Sequence, residues 1–139
     1  HFLSAILGTT SGQLIVMDHH GNTTEMLPIS TQSIRQLMYS CNKFYPEAPD
    51  NNATKFNNDD YILACSLENG QILFLQNYQD RSPISVNTEL QNIKMDWSTS
   101  NEILAVGGHQ RLNDTNYRNE IIFYNRRGEF LHRAHLPQM

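Results

Sequence analysis

The six histidines are the side chains of this sequence best suited to binding a metal ion, because imidazole is a common metal ligand. His19 and His20 are adjacent, and adjacent residues of an extended strand point to opposite faces, so they are not expected to share an ion. The simpler interpretation is that both are surface residues of a turn. His132 and His135 should also lie on opposite sides of a strand. No cysteine pair near either set has the spacing of zinc ligands. The sequence therefore predicts no metal site and no cofactor.

Serines and acidic residues form no recognisable catalytic arrangement. The Gly-x-Ser-x-Gly turn of a nucleophile elbow is missing, and the serines stand in turn segments, where hydroxyl groups commonly cap the backbone. Asp59, Asp60 and Glu68 could be read as paired carboxylates, but adjacent acids in an Asn-rich loop are more simply explained by solvation. We therefore expect a protein that is not an enzyme.

Composition narrows the possible partners and compartments. A formal net charge of -4 argues against a broad phosphate-binding surface, so no nucleic-acid partner is expected. No apolar run approaches the ~20 residues that cross a bilayer, and no membrane contact is expected either. Cys41 and Cys65 are too few to cross-link a small secreted scaffold. Both are predicted to be reduced thiols of a cytoplasmic protein, with Cys65 buried.

One local group of basic residues consists of Arg126, Arg127 and Arg133. Arg126 and Arg127 fall in a predicted hairpin turn, where charge keeps an exposed segment soluble. That simple interpretation is favoured, and a site for an acidic partner stays open as the alternative.

Short apolar runs bounded by turn residues dominate the chain, and they predict an all-β fold with antiparallel neighbours. The clearest runs are residues 2–7, 14–17, 61–65, 72–75, 103–106 and 121–124, separated by turns such as Asn69-Gly70. Only residues 32–38 suggest a helix, and that segment is short and lacks a clear cap.

The runs also repeat. The segments 13–18, 71–76 and 120–125 align with one another, and each follows a run that ends in small residues. A further strand precedes the second and third copies and ends in matching pairs, Tyr39-Ser40 and Trp97-Ser98. Four short strands recurring every 50 to 60 residues are typical of β-propeller blades. The chain thus holds about two and three-quarter four-stranded antiparallel blades.

The predicted boundaries follow from this repeat. Residues 1–30 supply the last three strands of a first blade. Residues 31–88 form a second blade with an Asn-rich loop insertion at 42–60, and residues 89–139 form a third with a loop insertion at 109–119. Because propellers close with about four to eight blades, we expect the chain to be part of a longer protein.

The blade-like strand order resembles that of WD-repeat propellers, as do the Trp97-Ser98 ending and the run Leu-Ala-Val-Gly-Gly at 104–108. The Trp-Asp pair that names these repeats is degenerate. Its positions hold Met17-Asp18, Leu75-Gln76 and Tyr124-Asn125, and the Gly-His element is absent. The resemblance therefore implies blades that depend on hydrophobic packing more than standard repeats do.

Segments 12–21, 77–83 and 123–129 are similar to the WD-repeat region of the tubby-like family. That resemblance implies a protein-interaction scaffold that serves as the substrate-recognition adaptor of a SOCS-box/cullin ubiquitin ligase. Elongin and cullin would then bind only through a SOCS box outside these residues. The WD-repeat subunits of intraflagellar transport complex A share the Leu-Ala-Val-Gly and Phe-Tyr-x-x-x-Gly-Glu elements. They imply the alternative of a scaffold in ciliary trafficking.

Propeller geometry also suggests where partners bind. In WD-repeat proteins, the loop between the second and third strands of a blade lies on the face most used for partners. In the third blade, this implies a partner-binding loop. Its candidate residues are His109, Gln110, Arg111, Asp114, Tyr117 and Arg118.

Overall fold

The computed structural model describes residues 3–40 and 61–136. This part of the chain contains eleven strands and no helix, so the all-β prediction is confirmed. The strands are β1 (Leu3–Gly8), β2 (Gln13–Asp18), β3 (Thr23–Pro28), β4 (Ile34–Tyr39), β5 (Leu63–Leu67), β6 (Gln71–Leu75), β7 (Ile84–Asn87), β8 (Gln91–Trp97), β9 (Ile103–Arg111), β10 (Tyr117–Asn125) and β11 (Phe130–Leu136).

The strands form three antiparallel sheets in which sequence neighbours pair. The first sheet holds β1 to β3, the middle sheet holds β4 to β7, and the third sheet holds β8 to β11. Most connections are tight turns, and Gly21, Gly70 and Gly128 adopt positive φ in three of them. A longer connection, residues 40–62, joins β4 to β5.

The middle sheet is buried on both faces. Leu63 and Cys65 of β5 point into one core, which also contains Leu14 of the first sheet. Ala64 of the same strand points into the other core, which contains Leu104 of the third sheet. Because successive strand residues point to opposite faces, a strand that is apolar at every position must be covered on both sides. All five residues of β5 are buried accordingly.

Corresponding positions of the repeat point to the corresponding face of each sheet. Leu14 of β2 packs toward the middle sheet, and Ile72 of β6 packs toward the third sheet. The corresponding residue of β10 is Ile121, whose neighbour Ile122 is fully buried against the middle sheet. Alternation therefore places Ile121 on the opposite face, where no described residue of another sheet covers it.

Two polar positions repeat as well. The hydroxyl groups of Ser40 and Ser98 accept hydrogen bonds from the backbone of the next strand, at Ile62 (2.8 Å) and Ile103 (3.2 Å). These serines end the paired segments Tyr39-Ser40 and Trp97-Ser98 that the sequence aligned. A short polar side chain at the end of the first strand of a sheet thus fixes the start of the second.

In two of the turns between strands, a side-chain oxygen also accepts backbone hydrogen bonds. Asp18 accepts backbone hydrogen bonds from His20 and Asn22, each 2.9 Å long, and Asn125 accepts two from Arg127 and Glu129. The backbone of Asn22, as the largest influence, lowers the pKa of Asp18. Aspartate and asparagine suit such turns because their oxygen reaches the backbone two residues ahead.

Polar contacts tie the middle and third sheets together at their first strands. The amide of Gln36 in β4 exchanges two hydrogen bonds with the backbone of Met95 in β8, 3.1 and 3.2 Å long. Trp97 donates from its indole nitrogen to the carbonyl of Met38 at 2.9 Å. Its ring also meets Phe74 edge to face. Trp97 is 8% exposed and is the last residue of β8.

Residues 32–38, the one segment that suggested a helix, contribute most of strand β4, which agrees with the strand predicted to end at Tyr39-Ser40. The structure differs from the sequence predictions in the third sheet. The predicted loop insertion at 109–119 is wrong for most of its length, because β9 and β10 continue through it and leave only residues 112–116 outside the strands. The predicted insertion at 42–60 and the thiol of Cys41 lie outside the described residues.

Replacing Trp97 with Ala should lower the free energy of unfolding by about 3 to 5 kcal/mol, through a cavity and lost transfer energy. Trp97→Phe keeps an aromatic ring against Phe74 and loses mainly the hydrogen bond to Met38, so it should cost about 1 to 2 kcal/mol. Chemical denaturation measures both. A loss below about 1 kcal/mol for Trp97→Ala would contradict the packing described above.

The thiol of Cys65 should be unreactive in the folded protein. Burial raises its pKa to about 12, and only the thiolate attacks disulfide reagents. In a Cys41→Ser variant, labelling by an aromatic disulfide at pH 8 should therefore proceed only as fast as the chain unfolds. Rapid labelling without denaturant would show that the core around β5 is open.

Candidate functional site

The long β9–β10 hairpin extends past both of its neighbours in the third sheet. Pairing between β8 and β9 ends at Gln91↔His109, and pairing between β11 and β10 ends at Leu136↔Asn119. Among the described residues, which end at Leu136, β9 and β10 pair only with each other beyond those points, as far as Arg111↔Tyr117. We call residues 110–118 the arm. The six predicted partner-binding residues all lie on the arm or at its base.

One face of the arm carries aromatic and amide groups. At its base, Nδ1 of His109 lies 2.6 Å from Oδ1 of Asn119, directly across the hairpin. The His109 ring also meets Tyr117, with ring centroids 6.3 Å apart. Tyr117 is 41% exposed, so this face offers an aromatic surface to solvent while its base is held by a polar pair.

The other face of the arm carries Arg118 and Gln110, whereas Arg111 pairs with Tyr117 and belongs to the first face. Arg118 donates from Nη2 to the side-chain oxygen of Gln110 across the hairpin (3.0 Å) and from Nε to Glu120 two residues further along β10 (2.9 Å). The two faces differ because alternate residues of a strand point to opposite sides. The candidate residues therefore split into two groups, and the structure does not gather them into one pocket.

The tip of the arm is built by side chains. Oδ1 of Asn113 accepts hydrogen bonds from the backbone of Thr115 and Asn116 and thereby forms the turn. Arg111 forms an ion pair with Asp114 at 3.1 Å, and the Asp114 side chain is 99% exposed. An ion pair so open to solvent stabilises the fold by little, which leaves both groups available to a partner.

Glu120 is the most unusual charged residue of this region, since its side chain is fully buried. Arg118 approaches it from its own strand, and Arg133 of β11 lies 3.3 Å away. His135 stands 3.6 Å from the same carboxylate. A buried carboxylate is costly unless it is paired. Here two guanidinium groups provide that pairing and leave an excess of positive charge at the surface.

Arg133 also affects the pKa of Tyr124. Burial raises the pKa of Tyr124, and the charge of Arg133 partly opposes that rise. Arg133 therefore lies on the strand face that it shares with Glu120 and Tyr124. Arg126 of the β10–β11 turn instead donates to the carbonyl of Asn101 at 3.0 Å. The basic group identified in the sequence is thus divided between two environments.

The histidine positions agree in part with the sequence. His132 stacks on Phe123 while His135 approaches Glu120, so these two lie on opposite faces as predicted. His19 and His20 stand in the turn between β2 and β3, as predicted, and not on an extended strand that would separate their side chains, so their ring centroids are only 3.9 Å apart. Across residues 3–40 and 61–136, no group of three His, Cys, Asp or Glu side chains could hold a metal ion.

Sequence reasoning missed Glu120. The available signal was an acidic residue at the start of an apolar run, with Arg118 two residues before it and therefore on the same strand face. Arg133 and His135 are contributed by β11, and their approach depends on strand register, which the sequence alone did not define.

The charge pairing at Glu120 can be tested with methionine substitutions. Replacing both Arg118 and Arg133 with Met should lower the free energy of unfolding by about 2 to 4 kcal/mol, because it leaves a buried carboxylate nearly uncompensated. Adding Glu120→Met should restore most of that loss. Urea denaturation of the double and triple variants measures this. If the triple variant is no more stable than the double, the arginines act through packing alone.

None of the described residues forms a helix that is long and apolar enough to span a membrane.

No protein-family model matches the chain. The chain is similar to human tubby-related protein 4, with 27% identity over an alignment of 154 residues. The mouse protein of the same name matches equally, at 27%. In each case the alignment covers 91% of this chain and 10% of the relative. The similarity supports the relation to the tubby-like family that the sequence predicted. The chain spans about a tenth of the length of the curated relatives it matches.

Proposed function

We propose that this chain is a non-enzymatic protein-interaction module that binds its partners through the arm. The observation that carries the proposal is the projection of β9 and β10 beyond β8 and beyond the described part of β11. Residues placed on a rigid sheet but free of its core are suited to contacts with another protein. Tyrosine and arginine, which the arm presents at Tyr117, Arg111 and Arg118, are also the residues most often enriched at binding hot spots.

The wider role proposed is substrate recognition for a ubiquitin ligase. Supporting it are the similarity to tubby-related protein 4 and the repeat of sheets that pack face to face, as blades of a WD-repeat propeller do. In this proposal the sheets are blades, the arm contacts the substrate, and Elongin and cullin bind elsewhere in the protein. A cytoplasmic location is part of the same proposal. The ciliary-trafficking role stays a prediction of the sequence.

The test compares partners captured with and without an intact arm. In quantitative proximity labelling, a variant with Arg111→Ser and Tyr117→Ser should label its partners about tenfold less or lower still. This is the effect expected when hot-spot residues are removed. A matched control variant carries His20→Ser and Arg81→Ser, two changes in turns remote from the arm in sequence. It should label the same partners as the unaltered protein.

The ligase role predicts a further property of any partner that binds through the arm. Its cellular abundance should rise when the protein carrying this chain is depleted, and only the unaltered arm should restore the original level. A partner whose location changes while its abundance stays constant would favour a trafficking scaffold. Equal labelling by the arm variant and the control would contradict the arm as the binding surface.

A further inference from the structure

The outer edge of β11 is the longest open strand edge of the described chain. In the third sheet β11 pairs with β10 only, and none of the hydrogen bonds among the described residues reaches its other side. The opposite edge of that sheet, β8, is occupied where Gln36 bonds to the backbone of Met95. An edge strand with free N–H and C=O groups is a template for pairing with another chain.

The other two outer edges are less suited to pairing. In the first sheet β3 contains Pro28 and an acidic residue, Glu25, whose carboxylate already accepts hydrogen bonds from Gln79. In the middle sheet β7 has only four residues. Short edge strands and proline are devices that prevent added pairing. By contrast β11 has seven residues and contains neither proline, glycine nor an acidic side chain.

The two faces of β11 differ in chemistry. On one face Arg133 and His135 surround the buried Glu120. Arg133 makes an ion pair there but no hydrogen bond, and 36% of its side chain is open to solvent. The free N–H groups of a guanidinium favour a carboxylate in a paired geometry. Since two arginines share one carboxylate, this face retains a positive charge that the rest of the chain, at a net -4, does not share.

The opposite face is apolar. Ala134 lies across from Ile121, His132 stacks on Phe123, and Leu136 is 43% exposed. A strand added beside β11 would therefore direct alternate side chains toward positive charge and toward apolar surface, because its own residues alternate with a period of two.

We propose that β11 binds an extended peptide by strand addition, and that the peptide alternates acidic side chains facing Arg133 with apolar side chains facing Ala134. Backbone hydrogen bonds supply affinity in this mode, and side chains on the two faces supply specificity. The binding mode is separate from the arm, because it uses the outer edge of β11 and not residues 110–118. A second copy of this chain fits the edge less well, since antiparallel pairing of two β11 strands brings their cationic residues together.

Fluorescence polarisation with a labelled eight-residue peptide of alternating Glu and Val tests the proposal on the intact chain. Alternating Glu-Val should bind about tenfold or more tightly than a peptide with the four Glu and four Val in separate blocks. An alternating Lys-Val peptide should not bind. Added salt should weaken binding, because the contact to Arg133 is charged.

Arg133→Gln should weaken binding of the alternating Glu-Val peptide by about tenfold. The matched control Arg127→Gln removes the same charge from the exposed β10–β11 turn and should change affinity by less than about twofold. Because Arg133→Gln also disturbs Glu120, amide hydrogen exchange on the unaltered chain gives a second readout. Exchange across residues 130–136 should slow when the peptide is added.

Three results would overturn the proposal. Equal affinity for the alternating and block peptides would show simple charge attraction without strand pairing. Slowed exchange elsewhere in the chain, with residues 130–136 unchanged, would place the peptide on another surface. Protection of residues 130–136 that depends on protein concentration and not on peptide would show that the edge pairs with a second copy. These three results do not depend on whether the arm binds partners. The proposal for the arm and the proposal for the β11 edge can therefore fail separately.

Discussion

The structure depends on the burial of the middle sheet from both sides. Its strands β5 and β6 are apolar at consecutive positions, and β-strand geometry sends neighbouring side chains to opposite faces. Neither strand can therefore meet water on one face, as an ordinary antiparallel sheet does. The first and third sheets provide the two covers. The position of this sheet between the other two follows from that requirement.

The arm departs from this scheme. It has no core of its own, and its strands are held by backbone pairing and by contacts between side chains such as His109 with Asn119 and Arg118 with Gln110. At its base, Glu120 is buried where the scheme would place an apolar side chain. Buried ion pairs contribute little net stability compared with apolar packing. We therefore regard the Glu120 contacts as a means of orienting Arg118 and Arg133.

The sequence predicted the elements whose cause is local. Apolar runs and Gly- or Asn-containing turns located strands in all three sheets, and the burial of Cys65 followed from its place within such a run. Tight turns also determined which strands pair. The repeat identified Ser40 and Ser98 as equivalent, and the structure shows both with one hydrogen-bonding role.

The failures have a physical reason in common. Residues 109–119 are polar, and pairing between β9 and β10 there depends on backbone hydrogen bonds, which leave no hydrophobic period in the sequence. The role of Glu120 depends on register with β11, and the contact of Gln36 with Met95 depends on how two sheets pack. The sequence could predict local conformation, but it could not predict strand register or the contacts between sheets.

The connection between β4 and β5 is closed at its base. Ser40 and Ile62 exchange backbone and side-chain hydrogen bonds of 2.9 and 2.8 Å, so the strands on either side meet whatever chain length separates them. The cost of closing such a loop rises only with the logarithm of its length, by about 0.6 kcal/mol for each doubling. Related chains can therefore differ greatly in length between Ser40 and Ile62 while the sheets stay unchanged. The same point would accept an inserted domain.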